Sequence, residues 1–297
     1  MSQPIAKQST VIASFIVVVL IWSTTPLAIK WSGEGPGFMF GIAARMVIGL
    51  VLLLLLSVAL RAKLPWHRQA VHSYVAAATG IYGTMMCVYW GAQYIPSGLI
   101  SVMFGLTPII TGVMAARVLG EDSLTLPKIF GTLLGLLGLI IIFGRGNSLG
   151  ELGKQGAIVV FIAVVVQSIS AVWVKRVHAH LPTVSLTTGS MIIAMPFFVI
   201  TWWWLDGQWP TLLPVRAVSA IVYLGAFATV VGFTLYFYII KHMQASSVGL
   251  LNLISPVFAL FVGHWLNQEV IDNAVWFGTG LILFGMSVYQ WVKFKVK

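Results

Sequence analysis

The sequence predicts an all-α polytopic membrane protein, with ten transmembrane helices in two inverted five-helix repeats. Three observations predict it. Of 297 residues, 59% are hydrophobic and 8% charged, and the mean hydropathy is +0.97, whereas a soluble domain is about 45–50% apolar and about 25% charged. Apolar runs of about 20 residues, enough to cross a bilayer, fall at 11–30, 37–60, 73–93, 97–118, 127–144, 156–174, 184–205, 217–240, 246–267 and 274–292. Finally, the unit YIPSGLISVMFGLTPIITGVMAARVLGE (94–121) returns as HMQASSVGLLNLISPVFALFVGHWLNQE (242–269), so that Pro256 and Glu269 each stand 148 positions beyond Pro108 and Glu121. A chain that repeats a unit of half its length points to duplication.

The first run follows Lys7 and has the length of a full crossing, with no small-residue cleavage site close behind it. It is therefore expected to be a retained helix rather than a signal peptide. The longest gaps, 61–72, 145–155 and 206–216, leave no room for a soluble catalytic module. The net charge of +10 reads as topology rather than as a nucleic-acid surface, because the cations sit in the short gaps. With the N-terminus inside, one set of gaps holds Lys7, Arg61, Lys63, Arg68, Arg117, Lys128, Lys175, Arg176, Lys241, Lys293, Lys295 and Lys297. The other holds only Lys30, Arg145, Lys154 and Arg216. The positive-inside rule then places both termini in the cytoplasm of a cell with this protein in its inner (plasma) membrane. Five spans per half is an odd number, so the second copy enters the membrane from the other side, and the repeats divide as 1–147 and 148–297. Cys87, the only cysteine, lies in an apolar run and reads as packing.

The chain resembles the EamA-type transporters of the drug/metabolite transporter superfamily over almost its whole length. The residues that carry the resemblance are LIWSTTPLAIKW (20–31), AARMVIGLVLLLLL (43–56), the stretch from Gly83 through Glu121, residues 225–269, and the glycine-rich closing helices GTLLGLLG (131–138) and GTGLILFG (278–285). The resemblance implies a ten-helix bundle in which spans 1–4 and 6–9 surround a central cavity while 5 and 10 lie at the periphery. It also implies transport of a small organic metabolite, with export common among bacterial members. The first-half cation Arg45 aligns with the neutral Ser190, so the two halves are not expected to bind a solute symmetrically.

Taken in order, span 1 offers Trp22, Thr25, Pro26 and Lys30. A proline frees a backbone carbonyl that Ser or Thr can satisfy, so kink geometry and solute contact both remain open there. Lys30 stands at a helix end, where it either snorkels or binds. Arg45 is the one cation well inside a span, roughly 12 Å deep. It must face water, an anion or backbone carbonyls, and a carboxylate or phosphate would suit it. Tyr82, Tyr89, Trp90 and Gln93 form an aromatic stripe with polar handles on span 3. Gln167 and Trp173 mark span 6, Tyr236 span 8, and Asn252 and Ser255 span 9. Pro26, Pro108 and Pro256 are candidate hinges. Gly131, Gly135 and Gly138 give span 5 a small-residue face for close packing or for a homodimer through the peripheral helices.

No carboxylate lies near the middle of any span, and the chain has no phosphate-binding glycine loop and no HExxH. Carboxylate-based proton coupling, an ATP-driven pump and a membrane protease are therefore not supported. No cofactor or metal is implied, and the expected partners are a small-molecule substrate and the lipid bilayer, not nucleic acid. The function expected is a secondary transporter for an amino acid or an amphipathic or anionic solute, working by alternating access around a midplane site, with export the expected direction. A channel-like uniporter and a non-transport membrane enzyme or scaffold are the alternatives.

Overall fold

The computed structural model describes residues 8–120, 126–145, 150–177, 179, 181–232, 234–235, 238–239 and 245–295. Among them the chain is helical, in α1 (Gln8–Ser32), α2 (Phe38–Ala59), α3 (Arg68–Gly91), α4 (Ser97–Phe104), α5 (Thr107–Leu119), α6 (Leu126–Arg145), α7 (Gly150–Val177), α8 (Thr183–Leu205), α9 (Val215–Tyr223, continued by a π-helical stretch Leu224–Gly232), α10 (Ala245–Asn267) and α11 (Asn273–Lys295). Because α4 and α5 together make one span, Ser97–Leu119, the eleven helices form ten helical units. Six units are long and apolar enough to cross a membrane by themselves, and shorter apolar helices lie at Ile129–Ile142, Ile254–Asn267 and Asn273–Val288. Within α3, Ser73, Tyr74, Thr84 and Tyr89 are buried, and the helix packs along α7 and α8. A helix lined by protein needs less lipid-like character than one lined by acyl chains.

The face of the bundle at which α1 begins is called the near face here, and the one at which it ends the far face. Helix pairings between the halves map onto themselves when the halves are exchanged. The α3–α7 pairing has α9–α1 as its counterpart, α3–α8 has α9–α2, α5–α7 has α10–α1, and α4–α10 and α2–α8 are their own counterparts. At the periphery α6 packs along α11, with glycines at the contact. A Cβ on Gly138 would stand 2.5 Å from the carbonyl oxygen of Gly278, and one on Gly285 would stand 2.6 Å from that of Gly131. Rising residue numbers on α6 meet falling ones on α11, so the two helices run antiparallel. The glycine face of α6 is thus filled from within the same chain, which leaves Leu133, Leu136, Leu137 and Ile140 exposed.

The three prolines singled out in the sequence behave differently. The chain leaves regular helix between Phe104 and Thr107, just ahead of Pro108, whereas Pro26 and Pro256 lie inside unbroken helices. A proline ring clashes with the carbonyl four residues back, here that of Phe104. Gly105 removes the local helix propensity that holds the equivalent stretch, Leu253–Ser255, together before Pro256.

Candidate functional site

Arg45 marks the centre of the bundle. It is 3% exposed, although α2 is otherwise apolar around it. The guanidinium Nε donates to Thr229 Oγ1 at 3.4 Å, and one terminal nitrogen lies 3.8 Å from the Met85 sulfur. Among the described residues no carboxylate is within ion-pair distance of it. Thr229 is delivered by the π-helical stretch, where its hydroxyl donates to the Leu224 carbonyl at 2.9 Å. A π-turn carries one residue more than an α-turn and rotates the following side chains, and such bulges cluster at functional sites. The close approach of α9 to α2 depends on small residues, since a Cβ on Gly49 would stand 2.9 Å from the Thr229 methyl and one on Gly225 would crowd Ile48.

Arg45, Met85 and Gln167 are shared walls of two cavities. The far-side cavity, about 220 Å³, is lined by Trp22, Thr25, Pro26, Thr84, Ser101, Phe104, Thr107, Ser255 and Pro256 among others. The near-side cavity, about 280 Å³, is lined by Ala77, Ile81, Ser170, Val174, Leu186, Thr187, Ser190, Met191 and Thr229. Thr84 donates to Gln167 Oε1 at 3.2 Å, which fixes the amide between them. The hydroxyls of Thr107 and Ser255 are buried and have no hydrogen-bond partner among the described residues. Buried polar groups without a partner cost free energy, so a wall carrying two of them is suited to a polar guest. A larger groove, about 460 Å³, runs along the outer flank of α9 between Leu213, Val218, Val222 and Phe227. Its apolar, outward-facing lining suits acyl chains rather than a polar solute.

The far face carries a polar clasp. Glu269, 7% exposed, accepts from the Ser97 backbone N–H at 2.8 Å and from its hydroxyl at 2.9 Å. Its other oxygen takes Asn267 Nδ2 at 3.1 Å and the Lys30 ammonium at 3.4 Å. Asn267 Oδ1 in turn accepts from Trp31 Nε1 at 3.0 Å and from Arg216 at 3.1 Å, and Arg216 lies 4.1 Å over the Trp31 ring. The carboxylate also meets the positive end of the α4 dipole. The ends of α1, α4, α9 and α10 are thereby tied together.

Around the cavities the structure brings together Trp22, Thr25, Pro26, Arg45, Gln167, Ser255 and Pro256. It does not bring the aromatic stripe of α3 there. The cavity-facing side of α3 is Ala77, Ile81, Thr84, Met85 and Val88, which follows a helical spacing one face round from Tyr82 and Tyr89. Tyr82 instead shares a 2.6 Å hydrogen bond with Thr201 and packs its ring 5.0 Å from Phe198. Tyr89 is buried and accepts from Ser32. Trp90 packs 4.9 Å from Tyr94, and Gln93 is exposed and donates to the Trp90 carbonyl. Trp173 is 40% exposed, Lys30 belongs to the clasp, and Pro108 sits beside the far-side cavity at the start of α5. Tyr236, Glu121 and the side chain of Asn252 lie outside the described residues. Thr84, Met85, Thr229 and Glu269 are the additions. Glu269 carried a signal in the sequence through its 148-residue match to Glu121, and Thr229 as a hydroxyl within an apolar span.

The model of the EamA-like transporter family matches residues 9–144 and again residues 154–289. The chain is 26% identical to the uncharacterized transporter YoaV of Bacillus subtilis, over 96% of this chain and 99% of that one. It is 25% identical to a protein named probable terminal-alkyne amino-acid exporter from Streptantibioticus cattleyicolor, over 88% and 87% of the two chains. It is 24% identical to the S-adenosylmethionine/S-adenosylhomocysteine transporter of Chlamydia muridarum, over 93% and 90%. One solved crystal structure of a protein shares the fold with a TM-score of 0.67 at 20% identity, covering 96% of this chain and 99% of that one. Matched by the family's model in both halves, this multi-pass membrane protein belongs to the EamA-like transporter family and is a transporter, not an enzyme.

Proposed function

We propose that the protein is a secondary transporter that moves a small organic metabolite, amino-acid-like or amphipathic and anionic, across the inner membrane by alternating access and in the outward direction. The observation that carries this reading is the wall formed by Arg45, Met85 and Gln167, which separates a near-side from a far-side cavity at mid-depth. A solute held at that wall faces either compartment without relocating. The repeats 1–147 and 148–297 act as inverted halves, a reading supported by the antiparallel run of α6 and α11 and by the pairings that exchange with the halves. Inverted repeats allow two mirrored conformations around one site. Cytoplasmic termini are supported by the distribution of Lys and Arg, and export by the relative named as a probable amino-acid exporter. A homodimer through α6 and α11 would use their outer leucine and aromatic faces, because their glycine faces are already filled.

The test is transport by purified protein in liposomes. The expected result is saturable counterflow of at least one amino acid or organic anion, above empty vesicles. Movement of none across a broad panel would remove the substrate reading, and flux without saturation or counterflow would make the protein a channel.

A further inference from the structure

Charge at the middle of the bundle is unbalanced. Among the described residues Arg45 meets neutral partners alone, the Thr229 hydroxyl and the Met85 thioether. The seven acids of the chain are Glu34, Glu121, Asp122, Glu151, Asp206, Glu269 and Asp272. Each of those described lies outside the helices or in the first turn of one; Glu121 and Asp122 lie outside the described residues. Among the described residues, then, no side chain supplies an anion to Arg45. The remaining polar groups around it are neutral too: Thr84, Gln167, and the buried, unpartnered hydroxyls of Thr107 and Ser255.

A desolvated guanidinium demands a counter-charge, and the solute is the source. We propose that the solute is an amphipathic monocarboxylate whose nitrogen, where it has one, is uncharged. This deepens the transporter reading and rests on it. One guanidinium balances one negative charge, whereas a phosphate group, with roughly −1.5 to −2 at neutral pH, would remain undercompensated. An ammonium entering the same cavity would be stripped of water with no carboxylate to receive it. An amide or hydroxyl, by contrast, finds Ser255, Thr107 and Gln167. The two cavities, about 220 and 280 Å³, are smaller than the roughly 300–1,000 Å³ of drug-sized sites, which suits one ring or a short chain. Because Arg45 borders both, the carboxylate keeps a single anchor while the apolar body lies on either side of it.

The experiment uses full-length protein in liposomes and four solutes that share a phenyl ring: 3-phenylpropionate, N-acetyl-L-phenylalanine, L-phenylalanine and phenethylamine. The expected result is carrier-dependent flux of the first two, a much higher KM for L-phenylalanine and none for phenethylamine. Arg45→Gln is expected to weaken competition by the two anions about ten- to hundredfold, the loss of a charged hydrogen-bonding partner. Arg45→Lys, which keeps the charge, is expected to preserve the ranking. Preference for L-phenylalanine or phenethylamine overturns the inference and leaves transport standing. Wild-type anion KM in Arg45→Gln, or in its place a reversed ranking in Arg45→Lys should the first variant not fold, also overturns it. Carrier-dependent flux of other solutes but of none of these four does so as well, whereas failure of the broad panel removes the transporter reading itself.

Discussion

Glu269→Gln keeps the shape of the far-face clasp and removes its charge. In the native protein the buried carboxylate holds two hydrogen bonds from Ser97, at 2.8 and 2.9 Å, and an ion pair with Lys30 at 3.4 Å. A hydrogen bond to a charged group contributes about 1.5–3 kcal/mol and a neutral one about 1 kcal/mol. Lys30 is 26% exposed on its side chain, so its pair is discounted to at most about 1 kcal/mol. Replacing charged acceptance by neutral acceptance at Ser97 and dropping the pair weakens closure by about 1–5 kcal/mol on these figures. At 1.4 kcal/mol per factor of ten, the ratio of closed to open far face falls by about fivefold to several thousandfold. The readout is a cysteine at the cavity wall, Ser101→Cys in a Cys87→Ser background, labelled with a membrane-impermeant maleimide added to the far face. Vesicles of both orientations identify that face. Labelling is expected to accelerate in Glu269→Gln. A rate equal to or below that of the parent would show that the clasp does not hold this face shut.

Two further outcomes test the packing. Gly138→Ala places a methyl 2.5 Å from the Gly278 carbonyl oxygen and 2.7 Å from Ile282, so α6 and α11 must separate, with an expected loss of about 1–3 kcal/mol read as a lower Tm in detergent. Gly280→Ala, with nothing within 4 Å of the added methyl, is the control, and equal Tm changes in the two would discard the close contact. Pro108→Ala should leave insertion intact and lower turnover, and it should do so more than Pro256→Ala, because the helix breaks only before Pro108. Equal turnover in both variants and the parent would remove these prolines from the mechanism.

Much of the architecture was legible in the residues alone. Apolar length marks where a chain meets lipid, and the 148-residue offset marks the duplication that the family's model matches twice, so the helical units and the presence of two repeats needed no coordinates. Arg45 stood out for the same reason: a lone cation amid apolar neighbours has to be satisfied by something other than lipid. Which face of each helix turns inward was not legible. In a bundle surrounded by acyl chains both the packed and the lipid-facing sides are apolar, so α3 offers no polar and apolar division to choose between its Tyr82 stripe and its Thr84–Met85 stripe. The tertiary structure decided that choice by where α7 and α8 lie. It also decided the pairing of Glu269 with Ser97, 172 positions apart, and the π-helical turn that brings Thr229 to Arg45. Hydropathy reads contact with lipid along the chain; contact between helices depends on side chains that meet only once the bundle has formed.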